Sequence, residues 1–423
     1  MKEELLQQIW RHKKIPSHYL TGSKGETIHI INFGNLNTNS GPDFLNAQVR
    51  IDGQLWAGNV EIHVKASDWY LHRHQKDDHY KNVILHVVWE NDKDVSHSKN
   101  FNIPTLILKD YFDEKILNNY HSLLHAEEKF INCYSDVNEI NEFDFNNWIE
   151  RMFFERLESK VDSITRSLER TRYDWEAVLF EHVAKVFGTK VNGHFFHQVS
   201  RSFDFKILKK NFHDLEILEA LLFGQSNLLN EELDDAYYLK LQSNYQFLTR
   251  KYKLKNVSEL KPKYFRLRPY NFPTIRLSQL ANLYHEKGLL FSKIIDANKS
   301  EEYFELFDVS TSDYWNTHYT FKSSSIQREK SISKAFIELI LINAVVPVKF
   351  AYGKYKGHNN QSKLTDLMSS LGLEKNKIID QFYLLRPFSK NALFSQGLLQ
   401  LKSNYCDQNK CLDCAIGHKI LFN

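Results

Sequence analysis

Apolar positions change their period near residue 140, and that change divides the chain into two parts. In residues 4–12, Leu5, Leu6, Ile9 and Trp10 recur at three- and four-residue steps, which predicts an amphipathic helix. Residues 26–33 (ETIHIINF) alternate and predict a strand, followed by an Asn-rich loop over residues 34–42. Residues 47–52 and 55–65 flank Asp52-Gly53, a pair that favours a two-residue hairpin because both turn positions take positive φ. Residues 83–89 (VILHVVW) run apolar without a break, as a strand buried on both faces does, and residues 103–108 predict one more strand. Further on, Trp148, Met152, Phe153, Leu157, Val161, Ile164 and Leu168 step at helical spacing. Residues 174–187 repeat that pattern and stop at Gly188, a C-cap signal. Residues 215–223, 277–284, 332–344 and 378–385 also read as helices. The expected fold class is therefore α+β. A mixed α/β domain of helix and β-meander covers residues 1–135, and a larger all-helical domain with a Cys-rich tail covers residues 136–423.

Composition narrows the classes. A chain of 423 residues exceeds what one core supports, so more than one domain is expected. Gly 15 and Pro 8 are well below the usual share, which argues against disorder and a turn-rich all-β fold. Lys+Arg 55 against Asp+Glu 52 leaves only +3, so any basic face must be local. The most apolar stretch, residues 335–352, is broken by Glu338, Asn343 and Lys349, so no membrane span is expected. The opening MKEELLQQIW reads as an amphipathic helix rather than a signal peptide. Four cysteines do not make a disulfide framework in a chain this long, and a cytoplasmic location is the simplest expectation.

Candidate chemistry concentrates in residues 40–65. In a strand, alternate side chains share a face, so Val60, Ile62 and Val64 point to the core while Glu61, His63 and Lys65 form a row opposite. Such a row on an internal strand is costly without a metal, a substrate or mutual pairing. Asp43 follows Pro42 at the start of the preceding hairpin strand, and pairing brings it towards Glu61. The plain alternative is a turn-forming Pro-Asp and an exposed Glu/Lys pair.

This arrangement resembles the PD-(D/E)XK nuclease superfamily, through Pro42-Asp43 and Glu61-Ile62-His63, with Lys65 one step further along. His63 stands where that pattern usually has lysine. The resemblance implies that Asp43 and Glu61 bind Mg²⁺ or Mn²⁺. It implies that His63 or Lys65 orients the attacking water or stabilises negative charge. The reaction implied is phosphodiester hydrolysis in DNA or RNA. The histidine also leaves open a catalytically inert nucleic-acid-binding protein on a degenerate nuclease core. Over nearly its whole length the chain further looks like a family of uncharacterised bacterial proteins in which NSGPDF, GNVEIH, SDWYLHRH and NVILHVVW recur.

Histidine numbers 19, and His63, His72, His74, His79 and His86 crowd one stretch. His72 and His74 are expected to contact substrate phosphate. A zinc-dependent small-molecule hydrolase using this segment is the rival, although no HExxH motif is present. At the other end, Cys406, Cys411 and Cys414 give a C-x₄-C-x₂-C spacing suited to Zn²⁺ or a [4Fe-4S] cluster. The fourth ligand is Cys133 or His418. Chain economy favours His418, whereas a likeness to the iron–sulfur staple of recombination-associated nucleases, and iron's soft-ligand preference, favour Cys133. Cations interleave with aromatics in residues 247–255, 261–276 and 349–356. Arg266, Arg268 and Arg276 are the named candidates there for contact with a nucleic-acid partner. No Gly-rich phosphate loop is present, which argues against an NTP-driven enzyme.

Overall fold

Helix α1 (Glu3–Arg11) forms where the sequence places Leu5, Leu6, Ile9 and Trp10 on one face, and all four are buried. Glu3 and Glu4 in its first turn and Arg11 in its last complement the helix dipole. Trp10 Nε1 donates to the Phe33 carbonyl at 2.9 Å and ties the helix to the chain leaving the first long strand. The computed structural model describes residues 2–98, 101–124, 130–255 and 261–422.

The sheet contains β1 (Leu20–Thr21), β2 (Thr27–Asn32), β3 (Asn35–Leu36), β4 (Phe44–Ile51), β5 (Gln54–Lys65) and β6 (Val83–Glu90). A small hairpin of β7 (Ser96–Ser98) and β8 (Phe101–Asn102) precedes its last strand, β9 (Thr105–Ile107). Strand order is β1-β2-β4-β5-β6-β9, with β3 paired to β4. β2, β4 and β5 form an antiparallel meander, and β6 and β9 continue it in parallel. The parallel step needs a crossover, which α2 (Asp68–Leu71) and two 3₁₀ turns supply. Two apolar clusters cover the sheet's faces. One gathers α1 with Val60, Ile62, Leu85, Val87 and α3 (Glu114–Leu124); the other gathers Trp69, Tyr80, Val83 and Val88.

The chain divides into two compact units, Met1–Trp148 with Lys402–Asn423, and Ile149–Leu401. The Cys-rich tail, attached to the helical part in the sequence reading, therefore falls with the unit that holds the sheet. Helix α4 (Glu142–Arg170) runs through the point of division. Among its described residues the second unit is mainly helical, with a short ribbon of His318–Thr320 and Ser323–Ser324. Its segment Lys334–Lys356 is long and apolar enough to cross a membrane by composition, and 72% of its most apolar window is buried inside the structure. Lys349, in that segment, is buried; its Nζ donates to the carbonyls of Ile294 and Ala297 at 2.8 Å, so it serves the core and not a phosphate.

Candidate functional site

The hairpin turn sets the geometry. Asp52 (φ 47°) and Gly53 (φ 83°) both take positive φ, and the Thr27 N–H donates to Asp52 Oδ1 at 2.8 Å. From that turn the alternation of β5 runs as expected, with Val60 and Ile62 in the core and Glu61 and His63 on the opposite face. Glu61 is only 5% exposed and His63 only 1%. Asp43 precedes β4, whose Phe44 pairs with Val60. The Asp43 N–H donates to Glu61 Oε2 at 3.1 Å, and the Ile62 N–H donates to Asp43 Oδ2 at 2.9 Å. The two carboxylates are thus locked to each other's backbone. Gln7 on α1 donates to Asp43 Oδ1 at 2.9 Å and to Glu3 Oε1 at 3.3 Å, so the helix also enters the site.

Three more histidines close around Glu61. The chain leaves α2 through Arg73 in a left-handed conformation (φ 64°), which turns His72 and His74 back over β5. His72 Nδ1 stands 3.2 Å from His63 Nε2, and His86 Nε2 stands 2.8 Å from His63 Nδ1. Glu61 Oε1 lies 3.2 Å from His74 Nε2 and 3.5 Å from His63 Nε2. The His74 ring stacks on Tyr80 at 3.7 Å, which fixes its plane. Ligand atoms of His63, His72 and His74 all lie within 4.8 Å of one another. Two ligands about 2.1 Å from one ion stand roughly 3.0–3.4 Å apart, and the 3.2 Å between His63 Nε2 and His72 Nδ1 falls in that range. His74 Nε2 and His86 Nδ1 are buried and find no hydrogen-bond partner.

Electrostatics point the same way. Burial, then the Glu61 charge, pushes Asp43 up to about 7. Burial pushes Glu61 up to about 8 against the Asp43 N–H, and the Glu3 charge adds to the rise. Glu3 is raised to about 7 by burial and by Asp43. Burial holds His63 and His86 far below the usual histidine range, with neighbouring imidazoles adding to the effect, so both rings are neutral. Among the described residues no lysine or arginine pairs with Asp43 or Glu61. Neutral imidazoles beside carboxylates that lack a counter-charge form a donor set for a divalent cation.

Not every expected residue joins this group. Lys65 lies at the exposed end of β5 with Nζ 3.9 Å from Glu90 Oε2. His72 and His74, expected at a substrate phosphate, converge with His63. Arg266 and Arg268 are exposed in the second unit. Arg276 is buried there. Its guanidinium donates to Gln279 and Asn271 and lies 3.5 Å from the centre of the Phe336 ring, so it is a core residue closed to nucleic acid. Glu3, Gln7 and Tyr80 also belong to the site although the sequence reading did not single them out, and His86, named there only among the crowded histidines, backs His63. The available signals were the one-turn spacing of Glu3 and Gln7, and a single histidine inside the apolar run VILHVVW.

The four cysteines line one small cavity of about 20 Å³, together with Asn132, Tyr405, Lys410 and Gly417. His418 does not line it; its ring packs 3.9 Å from that of His12. The structure therefore brings Cys133 to the tail's three cysteines and leaves the rival ligand aside.

Residues 3–377 match the family described as Protein of unknown function (DUF2851), and the chain belongs to that family. Neither a curated protein nor a solved structure matches it.

Proposed function

We propose that this member of the DUF2851 family is a divalent-metal-dependent phosphodiesterase acting on nucleic acid, with its site on the β4–β5 hairpin. The observation that carries the reading is the Glu61 carboxylate, buried between His63 and His74 on one oxygen and the Asp43 N–H on the other. In support, a helix followed by an antiparallel meander is the order implied by the nuclease superfamily that the hairpin resembles.

Glu61, His63, His72 and His74 would hold the cation, with Asp43 beside them. The cation would polarise a phosphoryl oxygen and make bound water more acidic. Because its ring is neutral, His63 cannot take over the role of a cationic lysine; it acts as a ligand instead. His63 Nδ1 lies 2.8 Å from His86 Nε2; with the proton on Nδ1, the Nε2 lone pair would face His72 and Glu61. Glu3 and Asp43, both titrating near 7, are matched to taking a proton from water at neutral pH. The resulting hydroxide forms a bond to phosphorus, the bond from phosphorus to the leaving sugar oxygen breaks, and that oxygen takes a proton from solvent. Exposed Arg266 and Arg268 are the cationic groups we assign to backbone phosphates.

A second reading, a zinc-dependent hydrolase of a small substrate, is favoured by the three converging imidazoles. The experiment is to strip the full chain of metal, restore Mg²⁺, Mn²⁺ or Zn²⁺ separately, and offer DNA, RNA and chromogenic phosphate and carboxylate esters. Polynucleotide cleavage that is lost in Glu61→Gln supports the nuclease reading. Ester turnover without polynucleotide cleavage transfers the site to the second reading. No turnover of any substrate with any metal overturns both.

A further inference from the structure

All four cysteines of the chain meet at one place far from the hairpin in sequence. Cys133 lies before α4, whereas Cys406 ends a π-helical turn (Lys402–Cys406) and Cys411 and Cys414 precede the last helix, Ala415–Phe422. Cys411 and Cys414 are buried, Cys133 and Cys406 half-buried, and none forms a disulfide. Bringing four thiols from two distant segments around one cavity has no packing advantage over apolar side chains. The groups around the sulfurs are donors. Asn132 Nδ2 donates to Cys411 Sγ at 3.5 Å, and the backbone N–H groups of Ile416 and Gly417 are directed at Cys414. Donors aimed at sulfur stabilise thiolate, the form that binds metal.

The width of the frame selects the metal. One zinc with Zn–S distances of about 2.3 Å would hold its thiolates roughly 3.8 Å apart. Among the described residues the cysteines do not form a group whose ligand atoms all lie within 4.8 Å of one another. A polynuclear cluster binds each thiolate to a different iron, or two to each of two irons, and so spans a wider frame than a single ion. The C-x₄-C-x₂-C spacing with one distant cysteine is itself an iron–sulfur pattern. Gly417 belongs to the same construction, since a Cβ there would meet the Cys411 carbonyl oxygen at 2.1 Å. The turn that presents Cys411 and Cys414 leaves no room for a side chain.

We propose that Cys133, Cys406, Cys411 and Cys414 ligate an iron–sulfur cluster that closes the C-terminal segment onto the sheet-bearing unit. The site is independent of the hairpin: its ligands, its metal and its role in folding are separate from catalysis.

The test is to purify the full chain without oxygen and measure iron, acid-labile sulfide and zinc, with the visible absorption spectrum. The expected result is a brown protein with broad absorbance and about two or about four irons per chain, matched by sulfide. In Cys133→Ser, iron and sulfide should fall together, while His418→Ala should keep both. Electron paramagnetic resonance after reduction then distinguishes the two cluster types. One zinc per chain without sulfide, or no metal at all in the anaerobic wild-type protein, overturns the proposal. Full iron content in Cys133→Ser overturns the ligand set.

Discussion

Glu61 Oε1 stands 3.2 Å from His74 Nε2, within reach of a hydrogen bond, yet the imidazole nitrogen is buried and makes none. On the proposed reading a divalent cation would take a lone pair from each of them. The remaining atoms around Glu61 repeat the motif, with His63 Nε2 at 3.5 Å from the same oxygen.

Replacing Glu61 by glutamine tests whether that oxygen serves the metal or the fold. The amide oxygen still accepts from the Asp43 N–H, and no buried charge is left. Mn²⁺ and Zn²⁺ binding, followed by calorimetry, should be lost. The melting temperature in chelator should equal or exceed that of the wild type. A large drop in metal-free stability would instead make Glu61 a structural residue.

His86 acts through His63, whose Nδ1 it meets at 2.8 Å. His86→Leu keeps the proposed metal ligands and removes only the partner that orients one of them. Metal affinity should fall roughly 10–100-fold. A histidine that merely fills the core would change the melting temperature and leave metal affinity of the folded protein as it was.

The second unit carries its own pH dependence. Glu219 is fully buried, with Ser312 Oγ donating to it at 3.0 and 3.1 Å and the Tyr237 hydroxyl donating as well. Burial raises it to about 7 from 4.5, so the folded state holds its proton more tightly than the unfolded one. This contribution to stability is complete below pH 4.5 and is lost as pH rises through 7. The slope is at most roughly 1.4 kcal/mol per pH unit. Denaturant titrations across that window should show the decline, and Glu219→Gln should remove it.

Arg276 separates core from surface among the arginines. Arg276→Ala should destabilise the protein by on the order of 1.5–3 kcal/mol through its lost charged hydrogen bonds. The double change of Arg266 and Arg268 to alanine should leave the melting temperature unchanged and weaken nucleic-acid binding in a salt-dependent assay. Equal melting temperatures for both variants would contradict the placement of Arg276.

Local patterns were legible in the sequence and long-range meetings were not. The alternation through Val60, Glu61, Ile62 and His63 and the Asp52-Gly53 turn follow from period-two geometry and positive φ, and the structure has both. Gly188 ends its helix as expected, for a different reason. Its φ is −68°, and the glycine is needed because a Cβ would meet the Asn192 carbonyl oxygen at 2.3 Å as the next helix begins. The return of His72 and His74 over Glu61 depends on one left-handed residue, Arg73, which no spacing rule marks. Lys65 shares the parity of Glu61 and His63, but burial ends before it does, at the rim of the strand. Glu3 and Gln7 reach Asp43 only because α1 packs on the sheet, and Cys133 meets the tail only after the whole unit has closed.

Anomalous diffraction from crystals of the full chain soaked in Mn²⁺ or Zn²⁺ tests the central claim most directly. The account predicts a single strong peak at the hairpin, about 2.0–2.2 Å from a Glu61 carboxylate oxygen and from nitrogens of His63, His72 and His74. A hairpin that stays empty at saturating metal, or a peak bound only by surface groups such as Asp77 and His79, would contradict it.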